Sequence, residues 1–300
     1  MEHLEVERNL SLYTIRNYKH YLDRFLAWFK NKHQSGDMQM LTVDEVRQFR
    51  LFLSRFKNAR GDSLSKATQS YHVIGLRSWL KWLIKQDVKT LAPEKIDVPK
   101  GESRSLKFLD RNQVERLLNQ PQISDEKGLR DKAILEVLFS TGLRVSELIK
   151  LNRDQLNFDT QELGVIGKGR RARVVFLSER AVKWLKHYLT SRVDRWKPVF
   201  IHYAGSKAEL TDRDGELMRL TARSVQRIVE KYRRRAGIGI KITPHGLRHS
   251  FATDLLQAGA GLREVQEMLG HKNVSTTQIY THVTNPQLKA VHQKYHSGNK

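Results

Sequence analysis

Apolar residues recur at steps of three and four along much of the chain, the period of helices that turn one face to a core. Ser11 precedes a segment in which Ile15, Tyr18, Leu22, Phe25, Leu26 and Phe29 share a face, which predicts a first long helix. Thr42 and Glu45 stand at capping-box spacing ahead of a second stripe, Val46, Phe49, Leu53 and Phe56. After the break "NARGDS", Ser65 to Lys85 is dense in Leu, Ile, Val and Trp and predicts one bent helix or two short ones. Residues 1–97 therefore read as a helical bundle.

"DVPKGESRSLKF", Asp97 to Phe108, combines Pro, Gly, Ser and charge without periodicity, so 98–108 is expected to link this bundle to a second domain, 109–300. In that domain Asp110 is placed to cap a short helix, and a stripe from Lys132 to Ser140 ends at Gly142. "ELGVIGKGRRARVVFLS" alternates like a hairpin around Gly167 and Gly169. Further helices are expected after Ser178, Thr221 and Thr243, the last with Pro244 at the favoured first position. The predicted fold class is mainly α: a helical bundle, then an α-rich domain carrying a small antiparallel sheet.

Composition narrows the function. A chain of 300 residues with 39% hydrophobic side chains suffices for two cores. It has no cysteine, which removes disulfides, thiolate nucleophiles and cysteine metal sites together and suits a reducing compartment. No apolar run approaches a membrane span, and "MEHLEVERNL" has no signal-peptide core, so a cytoplasmic protein is expected. The net charge is +22, far beyond what solubility requires, and points to a polyanion. Residues 1–100 hold 18 basic against 11 acidic side chains, and 101–300 hold 36 against 21, so both domains are basic. On the first domain Arg16, Lys19, Arg77 and Lys81 fall on outer helix faces and are candidate phosphate contacts.

Four islands of the second domain hold the candidate chemistry: "STGLRVSEL" (140–148), "GKGRRARVV" (167–175), "TPHGLRHSFATDLL" (243–256) and "LGHKNVSTTQIYTHV" (269–283). His245 and His249 have the four-residue spacing of a metal-binding helix, but the metalloprotease glutamate is missing and Arg248 lies between them, so no metal site is expected. Arg248 and His245 are instead spaced to present donors and an imidazole to one phosphate. The hairpin tip presents Lys168, with Arg171 and Arg173 alternating along the next strand as candidate DNA contacts, and Glu147 is spaced to hold the Arg144 guanidinium. Tyr280 has a phenol of ordinary pKa about 10, which acts as a nucleophile only where cations or a base stabilise the phenolate. Attack on a phosphodiester builds charge on the non-bridging oxygens, which two planar guanidiniums stabilise directionally, and the departing sugar oxygen needs a proton from a lysine or histidine.

In this order, "TGLRVSEL", "GKG", "HGLRHSFATDLL", "LGH" and "STTQIYTHV" resemble the motifs of the tyrosine recombinase (integrase) family, of the two-domain Xer type. The resemblance spans about Ser11 to Val283 and extends to a SAM-like core-binding domain for residues 1–97. It implies that Arg144, Arg248 and His271 stabilise the transition state, that His245 transfers protons and that Lys168 protonates the leaving oxygen. By the same likeness Tyr280 is the nucleophile and Glu147 supports Arg144. It further implies double-stranded DNA with a specific recombination site as partner, clamped between the two domains, in a homotetramer or a heterotetramer with a paralogous recombinase. No cofactor is expected, because one phosphoester is exchanged for another of similar energy. The tail Asn285 to His296 is expected to pack on a neighbouring subunit, and Ser275 to cap the helix carrying Tyr280.

Two features depart from the family. The hairpin reads "RARVVF" where "KERxVP" is expected, and the connection Tyr203 to Leu220 is longer and carries an acidic cluster suited to a partner contact or a solvated loop. No further domain is seen before Ser11, which disfavours the integrases that also bind arm sites; chromosome-dimer resolution and mobile-element integration stay unseparated. A type IB topoisomerase-like relaxing enzyme and a non-catalytic basic DNA-binding protein are the competing readings.

Overall fold

The chain divides into two units, Met1–Arg104 and Ser105–Lys300. The structure is a computed structural model that describes residues 1–98, 107–167, 172–203 and 214–270. Lys168, Arg171, His271, Ser275, Tyr280 and the tail 285–296 lie outside the described residues, as do most of the 98–108 linker and 204–213. The described residues are mainly helical, with one small antiparallel sheet.

In the first unit a short helix α1 (Glu2–Glu5), which the apolar pattern does not announce, precedes α2 (Leu12–Lys32), α3 (Val43–Arg55) and α4 (Lys66–Lys85). Ser11 caps α2 by accepting the Thr14 N–H, and the expected stripe is the buried one, with Leu22, Phe25 and Phe29 inside. The segment 66–85 is one continuous helix. Thr42 caps α3 as its spacing suggests, but the reciprocal half of the capping box is missing: the Glu45 carboxylate reaches across to Lys32 Nζ at 3.0 Å and His33 Nε2 at 3.2 Å. A cross-helix ion pair outcompetes the local bond there. Phe25, Phe29, Phe49, Leu53, Leu76 and Leu80 form the solvent-free centre of this unit.

The second unit is organised around α6 (Glu126–Thr141). Asp125 caps it through the Gly128 N–H, so the helix begins six residues ahead of the predicted stripe. Every residue from Arg130 to Leu138 is buried, because α8 (Glu179–Ser191) and α10 (Pro244–Gln257) both pack on it. A helix enclosed on all sides has no polar stripe, which is why its amphipathic signal is weak. Its charges are paired: Lys132 Nζ donates to Leu118 O at 2.6 Å and meets Glu136, which takes Arg180 Nε at 2.8 Å.

The sheet runs in order β1 (Leu156–Asn157), β2 (Glu162–Ile166), β3 (Ala172–Phe176). In the predicted hairpin Val165 pairs with Arg173, and Leu163 with Val175. Leu163, Val165 and Val175 are buried, so strand parity sends the Arg173 side chain inward as well. The remaining elements are α5 (Arg111–Leu118), α7 (Val145–Leu148), α9 (Ala222–Arg235) and α11 (Leu262–Leu269). Asp110, Ser178, Thr221 and Thr243 all cap helices, with Pro244 in the first turn of α10. The segment of α11 carried no expected element.

Candidate active site

Two tight turns bring the site together. α6 ends at Gly142 in the left-handed conformation (φ 58°), where a Cβ would lie 2.5 Å from the Phe251 ring. The chain then reverses and makes Arg144 the N-cap residue of α7. Glu147 holds Arg144 twice: one carboxylate oxygen accepts the Arg144 backbone N–H at 2.9 Å, and the other accepts Nη1 at 2.8 Å. The second turn is Gly270, again left-handed (φ 64°), which ends α11. A Cβ on Gly270 would stand 2.9 Å from Cδ of Arg173.

Arg248 links the two turns. It lies on α10, is 2% exposed, and donates Nη1 to Gly142 O at 2.6 Å and Nη2 to Leu269 O. Arg144 reaches the same place from the other side, its Nη2 lying 3.5 Å from Gly270 O. Both guanidiniums therefore meet the Leu269–Gly270 turn, from helices about a hundred residues apart in sequence. His245, one turn before Arg248, is exposed on one side and sets its Nε2 3.0 Å from Nε2 of the buried His249, the rings edge to face. Partial burial, then the charges of Arg248 and Arg144, hold the His245 imidazolium below its usual pKa. The histidine pair thus engages itself, and among the described residues there is no group of three side chains suited to a metal.

Glu147 is buried at 6% exposure. Burial alone would raise its carboxyl, but hydrogen bonds from Arg173 and from the Arg144 backbone and side chain, with the Arg173 charge, take it down to about 2. Arg173 forms the stronger fork, Nη1 to Oε1 at 2.9 Å and Nη2 to Oε2 at 2.8 Å. Arg173, expected among the DNA contacts of this strand, lies on the face of β3 that it shares with buried Val175 and engages Glu147 there. Behind Glu147, α7 and β2 enclose an open cleft of about 600 Å³ that ends at Gly167.

Arg16 lies over the Tyr13 ring, Lys19 pairs with Asp23 at 2.8 Å, and Arg77 is half-buried. Exposed Lys81 shares a hollow with His3, Glu7, Arg8 and Lys85.

Known proteins supply the context. The family model described as Phage integrase family matches residues 107–286, and that described as Phage integrase, N-terminal SAM-like domain matches residues 1–87. The chain is 35% identical to tyrosine recombinase XerD of Lacticaseibacillus casei, over 99% of this chain and 96% of that one. With tyrosine recombinase XerC of Pelobacter propionicus it shares 38%, over 98% and 92%. Of solved structures, XerA recombinase aligns at 28% identity and TM-score 0.52 over 97% of this chain and 94% of that one. XerH bound to a palindromic difH substrate, at 24% identity, shares the fold with TM-score 0.74 over 95% and 81%. Two matching domain models in sequence and more than a third of residues identical along nearly the whole length show that this chain belongs to the phage integrase family, the tyrosine recombinases that cleave and rejoin DNA.

Proposed function

We propose that the residues gathered at the Leu269–Gly270 turn, with Tyr280 as nucleophile, carry out the strand cleavage and rejoining by which this site-specific recombinase exchanges DNA. The observation that carries the reading is the convergence of Arg144 and Arg248 on one turn, held there by Glu147 and by main-chain carbonyls. Two guanidiniums fixed before substrate arrives cost no reorganisation when charge develops on a phosphoryl group. His271 follows Gly270 directly in the chain, and Lys168 follows Gly167 at the end of the cleft behind Glu147.

In the first step Tyr280 Oη bonds to phosphorus and the bond to the 5′ oxygen breaks, leaving a 3′-phosphotyrosyl link. The phenol proton passes to a base, the role given to His245, whose lowered pKa keeps it neutral at neutral pH. Lys168 protonates the departing 5′ oxygen, while Arg144, Arg248 and His271 stabilise the phosphoryl charge. A 5′-hydroxyl of the partner strand then attacks the link, and each transfer reverses, so the bond energy is conserved without a cofactor. The partner is double-stranded DNA carrying a recombination site, bound in the cytoplasm at the nucleoid by a homotetramer or a heterotetramer with a paralogous recombinase. The tail 285–296 joins neighbouring subunits, and Arg16, Lys19, Arg77, Lys81 and Arg171 contribute phosphate contacts. No described helix is long and apolar enough to cross a membrane.

A duplex nicked next to the cleavage position traps the covalent intermediate. The wild-type chain is expected to form a protein–DNA adduct stable to denaturant, and Tyr280→Phe none; an equal adduct from Tyr280→Phe rules the nucleophile out. Relaxation of a supercoiled plasmid without a recombination site would favour the topoisomerase-like alternative.

A further inference from the structure

Arg173 touches three segments that the proposed chemistry needs in register. Its guanidinium spans both oxygens of Glu147, at 2.9 and 2.8 Å, the same two oxygens that accept from Arg144. Its Nε donates to Met268 O, at 3.3 Å, in the last turn of α11. Its aliphatic stem passes so close to Gly270 that any side chain there would collide with it. Its own backbone sits in β3, in register with Val165 and five positions after Lys168 in the sequence. The side chain is 12% exposed.

We propose that Arg173 is a positioning residue of the recombinase: it holds Glu147 in the orientation that fixes Arg144 and ties the strand that follows Lys168 in the sequence to the turn before His271. The inference rests on the reading of Arg144, Lys168 and His271 as active-site residues. Its physical basis is competition for one buried carboxylate. Glu147 has two oxygens and takes four N–H donors, two from Arg144 and two from Arg173. Without Arg173, the carboxylate keeps one cationic partner in a site of low dielectric, and it is free to take Arg144 in a two-point fork that draws that guanidinium away from the Gly270 carbonyl. A lysine in place of Arg173 keeps the charge but has no planar fork to span both oxygens and the Met268 carbonyl together.

The competing account makes Arg173 a phosphate contact on a basic strand, and two measurements separate them. Covalent adduct formation on the nicked duplex is followed under single-turnover conditions for the wild type, Arg173→Ala, Arg173→Lys, Glu147→Gln and the double variant Arg173→Ala/Glu147→Gln. Affinity for the intact duplex is measured by anisotropy across a salt series. A positioning role predicts a loss of roughly tenfold or more in adduct rate for Arg173→Ala, little recovery in Arg173→Lys, and duplex affinity within about twofold of wild type with an unchanged salt slope. In the Glu147→Gln background, where no carboxylate is left to orient, Arg173→Ala should cost less than about threefold more. The double variant also removes the buried unpaired charge, so folding does not obscure the comparison. Wild-type adduct rates in Arg173→Ala, equal losses in both backgrounds, or weaker binding with the salt slope reduced by about one would each overturn the proposal. An absence of adduct with the wild-type chain overturns the recombinase site itself, and this inference with it.

Discussion

Arg248 Nη1 donates to the carbonyl of Gly142 at 2.6 Å, a bond across 106 positions of sequence. It makes the C-terminal end of α6 and the first half of α10 one rigid piece, with Phe251 closing over the same turn. Because Arg248 also bonds Leu269 O, the α6 turn and the α11 turn hang on one side chain. The orientation of the buried guanidinium is thus decided by backbone geometry at two glycine-ended helices.

Gly142→Ala is expected to damage fold and chemistry together. The left-handed φ costs a residue with a Cβ about 1–2 kcal/mol, and the new methyl would stand 2.5 Å from Phe251, so the ring must also move. Arg248 would lose its aligned carbonyl, and adduct formation should fall by about tenfold or more while the melting temperature drops by several degrees. Unchanged melting and cleavage in this variant would show that the turn does not position Arg248.

Glu147 makes a pH prediction. Its carboxyl lies near 2 in the folded chain against an ordinary 4.5, so the unfolded state binds the proton first and the ionised form favours folding. That contribution is fully present above about pH 4.5 and is lost as pH falls toward 2, with a size on the order of 3 kcal/mol for a carboxylate this buried. Urea unfolding between those limits should therefore show a shallower loss of stability for Glu147→Gln than for the wild type. Parallel curves would mean that the two arginines do not hold the carboxylate in solution.

Much of this was legible in the sequence, for identifiable reasons. Ser11, Asp110, Ser178, Thr221 and Thr243 announce helix starts because the capping bond is local, joining residues three apart. Arg144 with Glu147 was readable as a pair for the same reason, whereas the contact of His245 with His249 was not, since His245 was expected to act with Arg248. What was hidden is what depends on faces and distance. Strand alternation says that Arg173 and Val174 point opposite ways but not which one is inside. Glu45 has the spacing of a capping partner, yet Lys32 and His33 on another helix claim its carboxylate. The junction of residues 142, 248 and 269 is purely tertiary, and no local pattern contains it.

The first unit stands or falls on its aromatic centre. Phe49 is fully buried, its ring 5.1 Å from that of Phe25 and 5.3 Å from that of Trp28. Truncation to alanine removes the buried area and both ring contacts, for an expected loss of about 3–5 kcal/mol. Chemical denaturation of the full chain should then show an early transition belonging to residues 1–98, with the second unit melting as before. A single unshifted transition would contradict this packing.

His245 sets the lower pH limit of cleavage if it accepts the phenol proton. Partial burial, and then the positive charges of Arg248 and Arg144, hold its pKa below 6.5. Above 6.5 the ring is neutral and able to accept, so the single-turnover rate should be flat with respect to this group and fall only as pH drops through the lowered value. Protonation also opposes folding in the same window, since the unfolded chain takes up the proton at higher pH than the folded one. Rates must therefore be read where the protein remains folded by circular dichroism. Two variants assign the limb: His245→Gln should lower the rate and abolish the limb, while Arg144→Gln should keep it and move it up toward 6.5, because one of the depressing charges is gone. A limb that stays in place in both variants belongs to another group and removes His245 from the proton-transfer role.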